Sequence, residues 1–185
     1  MSAQDPNRML RFGQPLGAIM QEAFIVPDIR KAAAHFTASL GIGPFFYAPD
    51  FPLIEATYRG APCTATVALA IGFSGNICYE LIQQTNDAPS PWLETQKEKG
   101  YGYHHRAITT GNFDACMEHY AGLGYETILL TKVAFGTRAA YIDTRLDNYG
   151  MIEIIEVNDA VDDFFTFMRQ EAAQWDGTDP FRQLH

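Results

Sequence analysis

A chain of 185 residues, 47% apolar and 19% charged, is long enough to bury its own core and too apolar to stay disordered. Its 13 Lys and Arg stand against 22 Asp and Glu, a formal charge of -9, so it lacks the basic surface that nucleic acid or an anionic membrane would require. Cys63, Cys78 and Cys116 form no CxxC and read as reduced, buried small residues, no run reaches the ~18 apolar residues of a membrane span, and MSAQDPNRMLRFGQ has no apolar secretory segment, so a cytoplasmic location is expected.

Residues 1–18, polar and punctuated by Pro and Gly, read as an N-terminal arm. A strand over 19–26 ends at Pro27, and Asp28 is placed to cap a helix over 29–40, because its short carboxylate reaches free backbone N–H groups. Ile29, Ala32, Ala33, Phe36 and Leu40 recur near a helical period, and Gly41 terminates it. GPFFYAPDFP holds three prolines and reads as a loop, at best a short irregular strand. Strands follow over 54–58, 64–71 and 77–83, the last two joined by Ser74-Gly75-Asn76. Residues 84–103 form a linker with a short helix near 92–99, broken by Gly100 and Gly102.

The order then repeats. A strand over 104–110 leads through Asn112 or the neighbouring Gly111 into a helix ending near Ala121. Strands over 125–131 and 135–143, a turn at 147–150 and a strand over 151–157 complete the second unit. Asn158 is placed to cap a helix over 160–172, rich in acidic and aromatic residues and expected to lie over the surface of the body, with a tail to 185. Offsets support a duplication: Gln21 to His105, Val26 to Thr110 and Ile29 to Phe113 are each 84 apart, Gly41 to Gly124 is 83, and Glu80 to Glu153 is 73. The expected architecture is α+β, with βαβββ modules at 19–83 and 104–157.

Strand parity gathers four polar residues. Gln21 shares a face with Ile19, Ala23 and Ile25; Glu80 with Cys78 and Ile82; His105 with Ala107 and Thr109; Glu153 with Met151 and Ile155. A buried glutamate is costly unless paired or bound to a cation. One divalent ion among Zn, Mn, Fe, Ni, Co and Mg accounts for all four, since oxygen donors with one imidazole suit that range. The alternative is a Gln21 amide holding buried backbone and glutamates paired with Lys or Arg, which would mark a metal-free binding protein.

Gln21 in QEAFIVPDI, Glu80 in YELIQ, His105 in YHHRAIT and Glu153 in MIEIIEV resemble the motif of the vicinal-oxygen-chelate, or glyoxalase-like, superfamily, nearest to its methylmalonyl-CoA epimerase and lactoylglutathione lyase branches. The resemblance spans residues 19–157 and implies paired βαβββ modules whose mixed sheet curls into a metal-bearing cup. It implies Gln21, Glu80, His105 and Glu153 as metal ligands, with Glu153, then Glu80, as the catalytic base. The chemistry implied is isomerisation, epimerisation or elimination through an enolate of a small carbonyl or hydroxycarbonyl compound. Ring-cleaving oxygen chemistry on this fold usually uses two His and one Glu around iron and fits this set less well.

Phe45, Phe46 and Phe51, crowded on the Pro-rich loop, are candidates to contact an apolar part of the substrate, and Tyr47, Tyr101, Tyr103 and Tyr141 to line the cup. His104 falls on the face opposite His105 and reads as packed or hydrogen-bonded; His35 and His119 read as structural. Acyl-CoA is a poorer fit, because its phosphates require cations and few Lys or Arg fall near the cup. No GxSxG, GxxxxGK[ST], HExxH or strand-borne GxGxxG is present. The expected partner is a small-molecule substrate, not nucleic acid or membrane, with a homodimer left open.

Overall fold

The computed structural model describes residues 8–184. The first half contains β1 (Ile19–Ile25), α1 (Ile29–Leu40), β2 (Phe45–Phe51), β3 (Ile54–Tyr58), β4 (Ala61–Pro62), β5 (Val67–Ser74) and β6 (Ile77–Gln84). α2 (Pro91–Lys99) leads to β7 (Gly102–Thr110), α3 (Phe113–Gly122), β8 (Thr127–Lys132), β9 (Arg138–Ile142), the single turn α4 (Arg145–Asn148) and β10 (Met151–Glu156). α5 (Asp159–Ala173) and β11 (Phe181–Gln183) close the chain.

Local chemistry sets the helix ends. The Asp28 carboxylate accepts from the Lys31 N–H at 3.0 Å, and the Asn112 side chain accepts from Ala115 N–H at 3.2 Å. Gly41 ends α1 in the left-handed region at φ 67°, which favours a residue without a Cβ. Among the described residues no helix is long and apolar enough to cross a membrane.

All eleven strands join one curved, unclosed mixed sheet in the order β11-β2-β5-β6-β1-β7-β10-β9-β8-β3-β4. The two halves meet where β1 runs antiparallel to β7. Outward from that seam each half has the same order: its first strand, its last strand parallel to it, then the two others antiparallel. α1 covers the convex face of the first half through Ile29 and Ala33, and α3 covers the second through Phe113. β5 is buried along seven of its eight residues, because α1 packs behind it and α5 in front. The 47% apolar composition serves that two-sided burial.

Several elements depart from the sequence reading. The Pro-rich 45–51 segment is a strand, paired with β5 on one side and β11 on the other. It is the second strand of the first half, a place assigned from sequence to 54–58. Residues 54–58 instead cross to the other half and pair with β8. β11 has no counterpart in the sequence reading, and residues 134–136 are a 3₁₀ turn, not the start of a strand. The extra strands cover both outer edges of the duplicated sheet, the places where unpaired backbone would otherwise invite association. Cys78 is buried, while Cys63 and Cys116 are only half-buried; all three are free thiols.

The arm is tied down within the described residues; 1–7 lie outside them. Leu10 is buried in the core beneath α5, and Arg11 donates its backbone N–H to Asp162 and ion-pairs with Asp163.

Candidate metal centre

The seam between the halves builds the centre. β1 and β7 lie side by side, and β6 and β10 flank them. Ala23 pairs with Glu80 on one side and His105 on the other, while Ala107 pairs with Gln21 and Glu153. The four polar side chains therefore surround two fully buried alanines, whose small size leaves room for long side chains to converge. The two alanines are 84 residues apart, as are Gln21 and His105.

The convergence is tight. The Gln21 Nε2 amide lies 3.1 Å from Glu80 Oε2, 3.2 Å from His105 Nε2 and 3.2 Å from Glu153 Oε2. His105 Nε2 is 3.1 Å from Glu153 Oε2 and 3.6 Å from Glu80 Oε2. One ligand atom from each of Glu80, His105 and Glu153 falls within 4.8 Å of the others. The Gln21 carbonyl end faces Cys78 Sγ at 3.5 Å.

A neighbouring histidine fixes the imidazole. The register across the seam skips His104, a β-bulge that tips its ring onto His105. The expectation that His104 lies on the opposite face fails for this reason. His104 Nε2 is 3.2 Å from the Pro91 carbonyl, which can only accept, so this nitrogen carries the proton. His104 Nδ1 is then an acceptor for His105 Nδ1–H at 2.8 Å. The Nε2 lone pair of His105 is left facing the centre. Burial pushes His105 down to about 3 and His104 well below the ordinary imidazole value, which keeps both rings neutral.

Burial pushes the Glu153 carboxyl up to about 8. Burial, then the nearby Glu153 charge, pushes Glu80 well above the usual carboxylate range. Among the described residues neither glutamate pairs with a Lys or Arg; their ionic partner is neutral His105. The donor set fits a divalent cation: three acceptors share one point, and the amide hydrogens of Gln21 are the positive end of a dipole turned toward it. A half-turn of that amide would present its oxygen instead. A cation there would restore ionisation of both glutamates.

A cavity of about 350 Å³ opens from Gln21, Glu80 and Glu153. Phe51 and Tyr141 line it. The Tyr141 ring lies 4.7 Å from the His105 ring. Strand alternation displaces Phe45 and Tyr47, and the bulge at His104 displaces Tyr103. Phe45 packs toward α1, Tyr47 turns to Phe181 and Arg30, and Tyr103 accepts from Arg106 Nε while packing on Phe24. Phe46 is on the concave side but packs tilted against Phe167 of α5 without lining the cavity. The sequence reading missed Trp92 and Leu129, Val67, Leu69 and Ile71 of β5, and Phe164 and Phe165 of α5. The apolar run in VALAI and the FFTF of α5 were the available signals.

A family model described as the Glyoxalase/Bleomycin resistance protein/Dioxygenase superfamily matches residues 20–141. No curated protein gives a significant match. Solved structures share the fold at low identity. A hypothetical protein from Bacillus halodurans C-125 is 19% identical, with a TM-score of 0.58 over 77% of this chain and 95% of that one. Methylmalonyl-CoA epimerase from Mycobacterium tuberculosis is 14% identical, with a TM-score of 0.55 over 87% and 95%. A Streptomyces coelicolor methylmalonyl-CoA epimerase variant in complex with 2-nitronate-propionyl-CoA is 16% identical, with a TM-score of 0.54 over 78% and 96%.

Proposed function

The chain belongs to the Glyoxalase/Bleomycin resistance protein/Dioxygenase superfamily, and from that premise we propose that it is a divalent-metal-dependent isomerase, epimerase or lyase. Its substrate is a small carbonyl or hydroxycarbonyl compound with an apolar portion. The observation that carries the reading is the pair of buried glutamates, Glu80 and Glu153, which meet a neutral His105 and no Lys or Arg among the described residues. A paired glutamate would instead have favoured a metal-free binding protein.

Gln21, Glu80, His105 and Glu153 would hold the ion. When bound, it supplies a Lewis acid that polarises the substrate carbonyl and takes up negative charge developing on that oxygen. Glu153, at the cavity wall, removes the proton from the carbon beside the carbonyl, and Glu80 is the second candidate. The apolar walls exclude water from that carbon. Return of the proton to the other face gives epimerisation, return to another carbon gives isomerisation, and departure of a group gives elimination.

The test pairs elemental analysis with exchange of the substrate C–H for deuterium from solvent. Stoichiometric divalent metal is expected in protein purified without chelator. Glu153→Gln is expected to slow exchange by about 10²–10⁴-fold while some metal remains. Protein that takes up no divalent metal refutes the centre, and metal-loaded protein that turns over a substrate without exchanging any proton refutes the mechanism.

A further inference from the structure

The cavity is polar at one end and mostly apolar beyond it, with Thr131 and the exposed Asp50 and Gln183 as the other polar lining residues. Gln21, Glu80 and Glu153 form its floor. β5 supplies Val67, Leu69 and Ile71 along one side. α5 closes the top with Val161, Phe164 and Phe165. Among the described residues no Lys or Arg lines it, and the one acid away from the centre is Asp50, which is exposed.

Nearby cations are already engaged. Lys132 pairs with Glu55 at 2.6 Å, Arg182 with Glu171 at 2.7 Å, and Arg138 with Glu156 and Asp114. The N-terminus of α5 offers an anion little, because Asn158 caps it and Asp159 and Asp162 lie in its first turn. An anionic group inside this wall would lose its hydration and gain no cationic partner among the described residues.

Building on the metal-centre reading, we propose that the substrate is uncharged apart from what the centre itself binds. It is a vicinal dicarbonyl or hydroxycarbonyl compound with a hydrocarbon or aryl tail, enclosed between β5 and α5, with no phosphate or carboxylate on that tail. The volume, about 350 Å³, lies at the small end of the range for small-molecule sites. α5 is the selecting wall: the Phe164 ring packs edge-on to Phe165 and tilted against Phe135, each 5.5 Å away, and lines the cavity where the tail would lie.

Calorimetric titration of the metal-loaded protein with two matched probes tests this. 1-Phenylpropane-1,2-dione presents neutral vicinal oxygens and a neutral ring. Its para-carboxylate derivative presents the same oxygens with a charge at the far end of the tail. The neutral dione is expected to bind about tenfold or more tightly than the carboxylate, and propionyl-CoA is expected not to displace it. Phe164→Ala, at a half-buried position, should weaken the dione about tenfold and leave metal content unchanged. Equal or tighter binding of the carboxylate, displacement by propionyl-CoA, or failure of the dione to bind would overturn the proposal. Repeating the pair after chelation separates the two readings. Protein that never takes up metal yet keeps the preference for the neutral probe refutes the centre and retains the wall, whereas metal-loaded protein that prefers the charged probe does the reverse.

Discussion

The two halves of the sheet have the same strand order, yet they give the centre different chemistry. Each contributes a first-strand residue, a glutamate from its last strand and an alanine that makes room: Gln21, Glu80 and Ala23 in one, His105, Glu153 and Ala107 in the other. The first-strand residues differ most. The His105 lone pair is aimed at the centre by His104 and the Pro91 carbonyl. Among the described residues Gln21 has no such anchor; its far end meets the thiol of Cys78. The repeated order thus sets where the four polar side chains stand and repeats the bulge, which skips Met20 in β1 and His104 in β7; only the histidine can hydrogen-bond the residue beside it, and so only His105 is fixed beforehand.

The largest expected effect breaks that asymmetry directly. His105→Ala removes a fixed nitrogen, and Gln21→Ala removes an amide that must turn before it can ligate. His105→Ala should weaken metal binding by more than the about 10–100-fold cost of losing a supporting partner, and Gln21→Ala should stay within that range. Competition titration against a chelator measures both. Equal losses would show that the halves contribute alike.

The next effect isolates the bulge. His104→Phe keeps a flat ring in the buried site but removes the acceptor for His105 Nδ1–H. Metal affinity should fall about 10–100-fold, and His104→Gln, whose amide oxygen can accept, should recover part of it. Unchanged affinity in His104→Phe would make the contact incidental. Thermal melts of the chelated variants keep a folding defect apart from this reading.

Much of this comparison is legible in the sequence. Period-2 alternation puts Gln21, Glu80, His105 and Glu153 on one face, and the 84-residue offset joins the halves. What alternation cannot reveal is where it breaks. Nothing in YHHRA signals that His104 is the bulged residue, because that depends on how β1 and β7 settle against each other. The crossing of β3 to β8 was hidden likewise, since a strand's sequence does not name its partner. Phe45 and Tyr47 were misplaced because three prolines argued for a loop, whereas Pro49 is accommodated near the irregular register that separates Ala48 from Phe51, and Tyr103 was misplaced because the bulge at His104 breaks the alternation it shares with His105. Of the walls, α5 was expected to lie over the body, but only its packing against β5 makes it part of the cavity.

A smaller effect sets the two glutamates side by side through pH. The folded Glu153 value of about 8 exceeds its ordinary 4.5, and Glu80 is also raised. Each group's contribution is fully present below the unfolded value and is lost as pH rises through the folded one. His105 has the opposite sign: its contribution is present above 6.5 and is lost as pH falls toward about 3. Between pH 6.5 and 8 the glutamates therefore act alone within the centre. Chelated protein should lose several degrees of melting temperature across that interval, and the metal-loaded form should not, because the ion keeps both carboxylates ionised. Glu80→Gln and Glu153→Gln should each flatten part of the slope in the chelated protein. A flat profile in the chelated wild type would mean that water or a cation already compensates these charges.

The smallest effect compares the two covering helices. Asp28 and Asn112 cap α1 and α3 through the same contact, a side-chain oxygen accepting an N–H three residues on. Replacing either by Ala should lower the melting temperature by about 2–4 °C at neutral pH. The two caps differ in charge. Hydrogen bonds from Lys31 hold the Asp28 carboxyl below its ordinary 3.8, so its contribution is present above that value and fades as pH falls through the folded one. Asn112 has no proton to gain. The penalty of Asp28→Ala should therefore shrink in acid, and also in high salt as its attraction to the helix N-terminus is screened, while that of Asn112→Ala should hold steady. If both penalties decline together, the caps are equivalent, and the difference between the halves is confined to the seam where Gln21 faces His105.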